Sequence, residues 1–428
     1  MRLTRPTDSS HVVIENYNLA DPHLHSEGDI HLIWHAMRRR APVYWQEVGN
    51  GLGFWSVTKH EDVGMVLSNH ELFTSERGTL LNLLGIDDPA GKKQMTATDP
   101  PRHTQMRRPI QSGFTPRTLK KHADVIRNEV RRLLEPAANG ETIDFAAAMM
   151  ALSTAVAGTI LGLPSADWPK LTRLTAMAIA PDDPQFQLPE GTKATLHKAH
   201  REIFAYFEDI IYEKKHWEED EVLGILQKME VDGKKMDLGA ILANCYSLLL
   251  GANVTTPHVP SAALFTMIET NVYEEWAKNP EFLTIGVEEA LRWSSPASHF
   301  MRYALQDVEI KGVRINKGDA VVAWIGSANR DEDVFEDPFT FDLRRKHNPH
   351  IAFGKGAHYC VGHPAARQTI KILFEELFYH FEAFELAGPE QHLASNFIAG
   401  IKSLPVKGHL RPGIEKILDP IHEKSVTR

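Results

Sequence analysis

Cysteine is scarce in this sequence: Cys245 and Cys360 are the two present among 428 residues. Two cysteines cannot form a disulfide framework, and free thiols are typical of a reducing compartment. An excess of positive charge is also missing, because the formal net charge is -9 at pH 7 and the pI is ≈ 6.2. We therefore expect no nucleic-acid partner, since such a partner requires a basic surface.

We also expect no leader segment. The opening residues MRLTRPTDSS carry no apolar run behind their basic residues, so we expect neither a signal peptide nor a membrane anchor, and a cytoplasmic protein. The most membrane-like stretch is FAAAMMALSTAVAGTILGL at 145–163. It is rich in alanine, serine, threonine and glycine, which predicts a buried core helix rather than a membrane span.

Nothing in the sequence divides the chain, because repeats, low-complexity tracts and Gly/Ser linkers are absent, and we expect residues 1–428 to form one domain. Helical spacing of apolar residues predicts helices at 119–137, 196–215, 237–270, 281–293 and 364–381. Short alternating patterns predict strands at 53–59, 307–315 with a turn at Lys311-Gly312, 319–325 and 397–407. The expected fold is mainly α with a small β-rich region, and it lacks the βαβ alternation and phosphate loop of a nucleotide-binding sheet.

Cys360 lies in the segment PHIAFGKGAHYCVGHPAAR at 349–367, which predicts an apolar strand end, a glycine-rich loop and a helix. Gly354, Gly356 and Gly362 permit positive φ and a close approach of the backbone to a bound group. The free N–H groups at the start of the helix would stabilise a thiolate at Cys360. This arrangement suits an anionic sulfur ligand.

Two other interpretations of the cysteine stay open on spacing alone. Cys360 could be a small buried apolar side chain in a glycine loop. Alternatively, a zinc ion could be held by His358, Cys360 and His363, although three ligands within six residues would be cramped and a fourth is not in place.

The segment FGKGAHYCVG at 353–362 resembles the haem-binding loop of the cytochrome P450 superfamily, Phe-Gly-x-Gly-x-His-x-Cys-x-Gly, at every fixed position. Further segments resemble other marks of the family, in the family's order: DPPRHTQMRRPIQSGFTPR (99–117), EALR (289–292), ANRDEDVFEDP (328–338) and FDLRR (341–345). Because these segments are distributed over most of the chain, the sequence resembles a bacterial haem-thiolate monooxygenase with the cytochrome P450 fold.

The resemblance implies that Cys360 is the axial ligand of the iron in haem b. It implies further haem contacts from His103, Arg107, Arg302, Phe353, His358 and Gly362. From spacing alone, His103 and Arg107 are two donors on one face of a predicted helix and would pass for surface residues. The resemblance also implies a buried structural ion cluster near the cysteine loop, formed by Glu289, Arg292 and Arg345.

The implied reaction is oxidation of a small molecule with O2, typically by insertion of oxygen into an unactivated C–H bond. The electrons would come from NAD(P)H through a separate reductase and a ferredoxin, because two cysteines cannot hold an iron–sulfur cluster and no fused redox domain is recognised. The family places a basic docking face for acidic ferredoxins beside the cysteine loop. Its members here would be Arg102, Arg108, Arg117, Lys120, Lys121, Lys355 and Arg367, unless these are merely scattered solvated charges.

Substrate contacts are implied in segments 78–97, 178–195, 298–300 and 396–405. The candidate lining residues are Leu80, Leu81, Leu84, Ser298, His299, Phe300 and Ile398. This set indicates a largely apolar substrate, with Asn82 and His299 as polar anchors. Sterols, terpenoids, fatty chains and biosynthetic intermediates all remain open.

The stretch LLLGANVTTPH at 248–258 breaks an apolar helix from within. The family pattern at this point is two small residues, any residue, an acid and a threonine, and this chain has Gly251, Ala252, Asn253, Val254 and Thr255. The last four are the candidate catalytic residues. The Thr255 hydroxyl is expected to bond the Gly251 carbonyl, which opens the helix.

Two prolines extend this opening, because a proline has no N–H to donate. Pro257 is expected to free the carbonyl of Asn253, and Pro260 that of Thr256.

Val254 departs from the family pattern, because it replaces the acid that relays protons. One hypothesis is that Thr255, Asn253 and ordered water carry the protons instead. Another is that the enzyme favours chemistry with less need of a distal proton relay, such as substrate-assisted hydroxylation or non-hydroxylating oxidative coupling. A haem-binding protein without turnover is a third interpretation, which Thr255 and the basic face disfavour.

Overall fold

The chain folds mainly into helices in the computed structural model, which describes residues 8–214, 216–414 and 417. The helices are α1 (Pro22–Glu27), α2 (Ile30–Arg40), α3 (His60–Ser68), α4 (Arg102–Ile110), α5 (Pro116–Ala138), α6 (Phe145–Leu161), α7 (Trp168–Ile179), α8 (Thr192–Glu213), α9 (Val222–Lys228), α10 (Leu238–Asn253), α11 (His258–Thr270), α12 (Tyr273–Lys278), α13 (Phe282–Ser294), α14 (Ile325–Ala328) and α15 (His363–His380). The predicted fold class, mainly α with a small β-rich region, is confirmed.

The strands are short and lie mostly in small sheets. They are β1 (Val43–Gly49), β2 (Leu52–Val57), β3 (Phe73–Thr74), β4 (Thr142–Asp144), β5 (Glu230–Val231), β6 (Lys234–Lys235), β7 (His299–Ala304), β8 (Val308–Ile310), β9 (Val313–Ile315), β10 (Ala320–Trp324), β11 (Phe381–Leu386), β12 (Gln391–His392), β13 (Ile401–Ser403) and β14 (Pro405–Leu410). The predicted hairpin at 307–315 is confirmed, with Lys311 and Gly312 in its turn at φ 49° and 78°.

Aspartates begin two of the most apolar helices. The Asp144 carboxylate accepts the Ala147 N–H at 3.1 Å before α6, and the Asp237 carboxylate accepts the Ala240 N–H at 2.9 Å before α10. Such N-caps satisfy amides that have no partner inside the helix and contribute about 1 kcal/mol each. Most of α6 is buried, which confirms the predicted core helix at 145–163.

The largest apolar cluster joins long helices to one another. It includes Val130 of α5, Leu152 of α6, Cys245 of α10, Leu291 of α13 and Leu373 of α15. Burial of apolar surface is the main favourable contribution to folding. Helix α10, which ends at Asn253, and helix α15, which follows Cys360, therefore pack into the same core.

A five-stranded sheet in the order β1-β2-β10-β7-β3 flanks the helical core. Strand β10 runs parallel to β2 and antiparallel to β7, and Val321 of β10 is paired with Arg302 of β7. Side chains alternate across a strand, so Phe300 and Arg302 share one face of β7. On the opposite face, Met301 packs into a separate cluster with Trp34 and Trp324.

The sequence predictions miss or misplace several elements. Strands β1 and β7 were not predicted. The expected strand end before the cysteine loop is wrong, because residues 347–351 form no ladder and the Ile351 N–H is bound instead by the Asn329 side-chain oxygen at 2.8 Å. The predicted tail strand 397–407 begins only at β13. The predicted helix 237–270 is interrupted between α10 and α11.

Among the described residues, one helical run is long and apolar enough to cross a membrane by length and composition, and it is Leu238–Thr270, which includes the interruption. Half of its most apolar window is buried inside the protein. The sequence had singled out 145–163 as the most membrane-like stretch, and this is corrected, because α6 is too short for a span.

Candidate active site

The cysteine loop is held against the rest of the protein by its backbone. The Cys360 N–H donates to the Phe353 carbonyl at 2.8 Å, which closes the loop. Gly354 and Gly356 have φ of 75° and 73°, as the sequence predicts, and a Cβ on Gly356 would come within 2.5 Å of the Ser68 Cα. Glycine is therefore required at residue 356, because of both the positive φ and the close contact with Ser68.

Gly362 does not adopt the positive φ that the sequence predicts. Its φ is -82°, which any residue adopts, so a positive φ does not explain this glycine. A Cβ built there would lie 3.9 Å from the Cys360 Sγ and 3.8 Å from the Phe114 ring. The absence of a side chain at residue 362 thus keeps the space beside the sulfur clear.

The environment of the Cys360 thiol acts on its charge in two directions. Burial raises the pKa of the thiol, whereas the backbone N–H groups of Gly362 and His363 and the charge of Arg107 favour the thiolate. Cys360 nevertheless keeps part of its surface accessible. By contrast, Cys245 is fully buried, and burial raises the pKa of its thiol.

Cationic and imidazole side chains converge beside the loop without anionic partners. Arg302 is buried, and its one described hydrogen bond is donated to the Met301 carbonyl at 2.9 Å. Burial lowers the pKa of Arg302 to about 10. Among the residues that the structure describes, neither Arg302 nor Arg107 has an ion pair within 4.0 Å. A buried guanidinium without a counter-ion is costly, so this region is built for an anion.

Two histidines complete this set. The rings of His103 and His358 lie 4.4 Å apart, and the His358 Nε2 contacts the Ser75 hydroxyl at 3.1 Å. His103 is 1% exposed, and neither of its ring nitrogens has a partner within the described part of the chain. Burial lowers the pKa of His103 to about 4, so its ring is neutral and has one N–H to donate.

These residues fit the group that the resemblance implies. The two carboxylates of haem b would be received by Arg107, Arg302, His103 and His358, whose donors otherwise lack anionic acceptors. The Phe353 ring lies under the Arg367 guanidinium at 4.5 Å, so its position next to the loop is fixed. Cys360 would supply the sulfur ligand.

The zinc interpretation is not supported. Within residues 8–214, 216–414 and 417, no group of three histidine, cysteine or acidic side chains is placed to hold a metal ion. His358 faces Ser75 and His103, and the His363 Nδ1 contacts the Arg367 guanidinium at 2.8 Å.

The interrupted helix presents its small residues to open space. Gly251 is exposed although it lies in an apolar helix, and a Cβ built on it would meet no atom within 4 Å. Ala252 and Thr255 also keep accessible surface. The Thr255 hydroxyl donates to the Gly251 carbonyl at 2.9 Å, which is the bond expected from the sequence.

The expected effect of the second proline is wrong. Pro260 removes an N–H, but the Thr256 carbonyl accepts the Val259 N–H at 3.3 Å and is not free. The Thr255 carbonyl likewise accepts the His258 N–H at 3.2 Å. The chain tightens to three-residue spacing at this point, which compensates for the missing donor.

The other two candidate catalytic residues face away from this open space. On a helix, residue 253 lies opposite residue 251, and both Asn253 and Val254 are 5% exposed. Val254 packs with Ala180, Leu393 and Ile398 in a small apolar cluster. The position at which the family has an acid is thus occupied by a buried apolar side chain.

A buried ion cluster supports the cysteine loop. Glu289 is fully buried and accepts two hydrogen bonds from the Arg292 guanidinium, at 2.7 and 2.8 Å. Arg345 lies 3.2 Å from the same carboxylate. Arg292 also donates to the Asn329 carbonyl at 3.0 Å, and the Asn329 side chain binds the Ile351 N–H. The cluster is therefore linked to the segment that leads into the loop.

The candidate substrate residues divide into two groups. Leu80, Leu84 and Phe300 keep accessible surface, whereas Leu81, Ser298, His299 and Ile398 are buried. Leu81 and Leu84 pack on the cluster that contains Trp34 and Met301.

His299 is not a free polar anchor. It is fully buried, and its Nε2 accepts the Leu81 N–H at 3.4 Å. Its Nδ1 donates to the Asn396 carbonyl at 3.2 Å. His299 therefore joins two segments implied to line the pocket and positions them, without a nitrogen left for a substrate.

An aromatic residue that the sequence did not single out stands next to Ile398. The Phe397 ring lies 5.7 Å from the Phe300 ring, and both keep accessible surface. Ile398 bridges to Ala297 as in an antiparallel pair. Since neighbouring residues in an extended segment face opposite sides, alternation within the tail would have pointed to Phe397.

The basic residues near the loop differ in whether they form ion pairs. Arg102 pairs with Asp232, Lys121 pairs with Asp220, and Arg367 binds Glu288 through two nitrogens at 2.6 and 2.8 Å. These three contribute less net charge than the sequence suggests. Of the seven basic residues predicted for the docking face, those that are exposed and form no ion pair with a described residue are Arg108, Arg117, Lys120 and Lys355.

The cysteine loop, the uncompensated donor set and the opened helix define a haem-thiolate protein. A family model for cytochrome P450 matches residues 159–407. The chain is 34% identical over 408 residues to cytochrome P450 NovI of Streptomyces niveus, with 94% of this chain and 99% of that protein covered. It is 31% identical over 407 residues to linalool 8-monooxygenase of Pseudomonas putida, with coverage of 92% and 99%.

The solved structures agree. The crystal structure of P450 OxyD, which is involved in the biosynthesis of vancomycin-type antibiotics, has a TM-score of 0.81 and 29% identity, and the match covers 92% of this chain and 99% of that one. The chain belongs to the cytochrome P450 family. As a member it is an O2-dependent oxidoreductase of the monooxygenase type that uses haem b and electrons from NAD(P)H.

Proposed function

We propose that this protein is a monooxygenase that oxidises a largely apolar small molecule held against Phe300 and Phe397. The observation that carries the proposal is the aromatic pair that these two rings form next to a buried frame. The names of the relatives support this class, since one acts on linalool and another works in the biosynthesis of an antibiotic. A substrate that is mainly apolar with a few polar groups fits such a wall.

Each group of residues has a defined part in this reaction. The haem supplies the oxidising chemistry when it is bound, with Cys360 as its sulfur ligand. Arg107, Arg302, His103 and His358 hold its carboxylates. Thr255 orients its hydroxyl along the opened helix beside Gly251 and Ala252, where it can pass a proton. The apolar side chains of α10 exclude bulk water.

A panel of apolar ligands tests the proposal. Sterols, terpenoids, fatty acids and carrier-bound acyl groups are titrated against the haem-loaded protein, and binders are recognised by a spin-state shift in the absorption spectrum. We expect one class to bind with a dissociation constant in the micromolar range, which corresponds to about -8 kcal/mol. Phe300→Ala combined with Phe397→Ala should weaken that binding by about tenfold or more, because two aromatic faces are lost.

A second candidate function is oxidative coupling without oxygen insertion, and Val254 is the observation that favours it. The same panel separates the two functions if turnover is run under isotopically labelled dioxygen with a surrogate ferredoxin. Label in the product establishes monooxygenation. A product that has lost two hydrogen atoms, carries no label and has a new bond between two substrate atoms that were not bonded before establishes coupling, and the absence of any product from all classes contradicts both.

We also propose that the electrons come from an acidic ferredoxin with a separate reductase, in the cytoplasm, and that residues 1–428 act as one haem domain. Arg108, Arg117 and Lys120 support this, because they are exposed, near one another in sequence and without ion pairs among the described residues. A basic patch steers an acidic partner and suits a transient encounter.

Charge reversal tests this docking face. Arg108→Glu with Lys120→Glu should slow reduction by ferredoxin at low ionic strength by about tenfold or more, because the attraction becomes a repulsion. The difference should shrink at high salt, where charges on the surface are screened. Lys193→Glu, which reverses an exposed charge on α8, is the matched control. Equal rates for the two variants would exclude the face.

A further inference from the structure

The face of α10 that includes Gly251 also carries a serine, Ser247. It lies four residues before Gly251, and side chains four residues apart are neighbours on one face of a helix. Ser247 keeps part of its surface accessible, and the space beside Gly251 is open, since a Cβ built on Gly251 would meet no atom within 4 Å. The Ser247 side chain therefore borders the same open space as Gly251.

The Ser247 hydroxyl forms no hydrogen bond with any residue that the structure describes. A serine or threonine inside a helix commonly donates to the carbonyl four residues earlier, as Thr255 does to Gly251 at 2.9 Å. Ser247 does not bond the Ala243 carbonyl in this way. Its hydroxyl is therefore available to a ligand both as a donor and as an acceptor.

One turn before Ser247, α10 is bound to a segment that the sequence implies in substrate contact. The Asn244 side-chain oxygen accepts the Met95 N–H at 2.8 Å, and its nitrogen donates to the Lys93 carbonyl at 2.9 Å. Residues three apart are neighbours on a helix, so Asn244 places the segment 78–97 next to Ser247. Ser247 thus lies between this segment and the open space beside Gly251.

The polar anchor that the sequence favours is not available to a ligand. Both ring nitrogens of His299 are bonded to the backbone, and the proposed substrate wall of Phe300 and Phe397 is aromatic. An apolar ligand that expels water from this space would leave the Ser247 hydroxyl without a partner, which is unfavourable. A ligand with an oxygen atom at that point would restore the hydrogen bond.

We propose that the Ser247 hydroxyl anchors an oxygen atom of the substrate, which is a hydroxyl or carbonyl group on an otherwise apolar skeleton. The inference deepens the proposed monooxygenase function and rests on it. Ser247 is then a specificity-determining residue, because a hydrocarbon of the same shape leaves its hydroxyl unpaired. Neutral alcohols and ketones fit better than fatty acids, since a carboxylate requires a cation and α10 has no cationic residue.

The anchor also determines which carbon is oxidised. A helix rises about 1.5 Å per residue, so Ser247 and Gly251 are about 6 Å apart along the axis, and Thr255 lies further on. Oxidation beside Thr255 therefore occurs about 6 Å or more from the anchored oxygen. In this step a C–H bond of the substrate is broken and a C–OH bond is formed with one atom of O2. The other oxygen atom leaves as water, with two protons and with two electrons from the redox partner.

Ser247→Ala tests the anchor, because alanine favours the helix and the substitution removes only the hydroxyl. The probes are alcohols and hydrocarbons with the same carbon skeleton: linalool with β-citronellene, cholesterol with cholestene, and dodecanol with dodecane. Spin-state titration of the haem-loaded protein gives a dissociation constant for each probe. For the alcohol that binds best, we expect Ser247→Ala to weaken binding about tenfold and to leave the affinity for its hydrocarbon unchanged.

Two further variants separate the hydroxyl from other effects. Ser247→Thr keeps a hydroxyl at this position and should keep the preference for the alcohol. Tyr246→Phe removes a hydroxyl from the neighbouring residue, but that hydroxyl already contacts the His200 Nε2 at 2.8 Å, so the preference should also persist. An equal change for both members of a pair in Ser247→Ala, or a loss of preference in Ser247→Thr, would overturn the inference and leave the proposed function standing. If no member of any pair binds, both fail.

Product analysis with the best-bound alcohol gives a second readout. In the parent we expect one main product, with the new hydroxyl on a carbon about 6 Å or more from the anchored oxygen. In Ser247→Ala the substrate is no longer fixed at one end, and a mixture of positions is expected. Oxidation of the parent's substrate next to the anchored oxygen, or the same single product from both proteins, would contradict the anchor.

Discussion

Cys360→Ser is expected to abolish product formation and the spectral signature of thiolate ligation. Serine fills nearly the same space, but its hydroxyl stays protonated and cannot donate electron density as a thiolate does. In this variant the Gly362 and His363 amides, which favour a negative charge on the sulfur, no longer have a thiolate to stabilise. The measurement is the position of the Soret band of the reduced carbonyl complex, together with product analysis.

The second cysteine is a matched control. Cys245 is fully buried in the main apolar core and lies on α10, well inside the helix. Cys245→Ala should lower the free energy of unfolding by about 1 kcal/mol through a small cavity and leave the red-shifted band in place. If the band shifts in Cys245→Ala and persists in Cys360→Ser, the assignment of the ligand is wrong.

Glu289→Gln is expected to lower the free energy of unfolding by about 3–5 kcal/mol. The carboxylate is fully buried and faces the guanidinium groups of Arg292 and Arg345. Without its charge, two cations remain buried and uncompensated. Because Arg292 also binds the Asn329 carbonyl, and Asn329 binds the residue at the entrance of the cysteine loop, haem retention should fall as well. Urea unfolding and the haem content of the purified variant measure the two effects.

The chain offers a control with the same spacing and chemistry. Glu129 and Arg132 on α5 are also three residues apart and form two hydrogen bonds, at 2.6 and 2.9 Å, but the Arg132 side chain is 62% exposed. Glu129→Gln should change the free energy of unfolding by less than about 1 kcal/mol, because water solvates the freed guanidinium. Equal losses in the two variants would mean that burial does not set the strength of the Glu289 cluster.

The parts of the site that could be predicted from the sequence are those whose contacts lie within short segments of the chain. The cysteine loop lies within ten residues, and the Thr255 bond to Gly251 is fixed by helical spacing alone. The hairpin at 307–315 is similarly local, since a Lys-Gly turn joins two alternating triplets. In each case the deciding contacts are made within a few residues of one another.

The parts that were missed depend on contacts between distant segments. The Ile351 N–H is bound by the Asn329 side chain and not by a neighbouring strand, and no pattern in the sequence around residue 351 predicts this contact. The ion pairs that neutralise Arg102 and Lys121 come from Asp232 and Asp220, which lie 130 and 99 residues away in sequence. The placement of Phe397 rather than Ile398 on the open side depends on the bridge between Ala297 and Ile398, which fixes the register of the tail.

His299 has a consequence for how this enzyme could change its substrate. One imidazole ring ties the backbone of residue 81 to that of residue 396, so the spacing of two segments that we propose to line the substrate pocket depends on the His299 side chain. The rings of Phe300 and Phe397 are carried on this frame and are free to vary. Evolution or a designer can therefore reshape the lining by substitutions at 300 and 397 while the frame keeps its width, whereas a substitution at 299 would alter both walls at once.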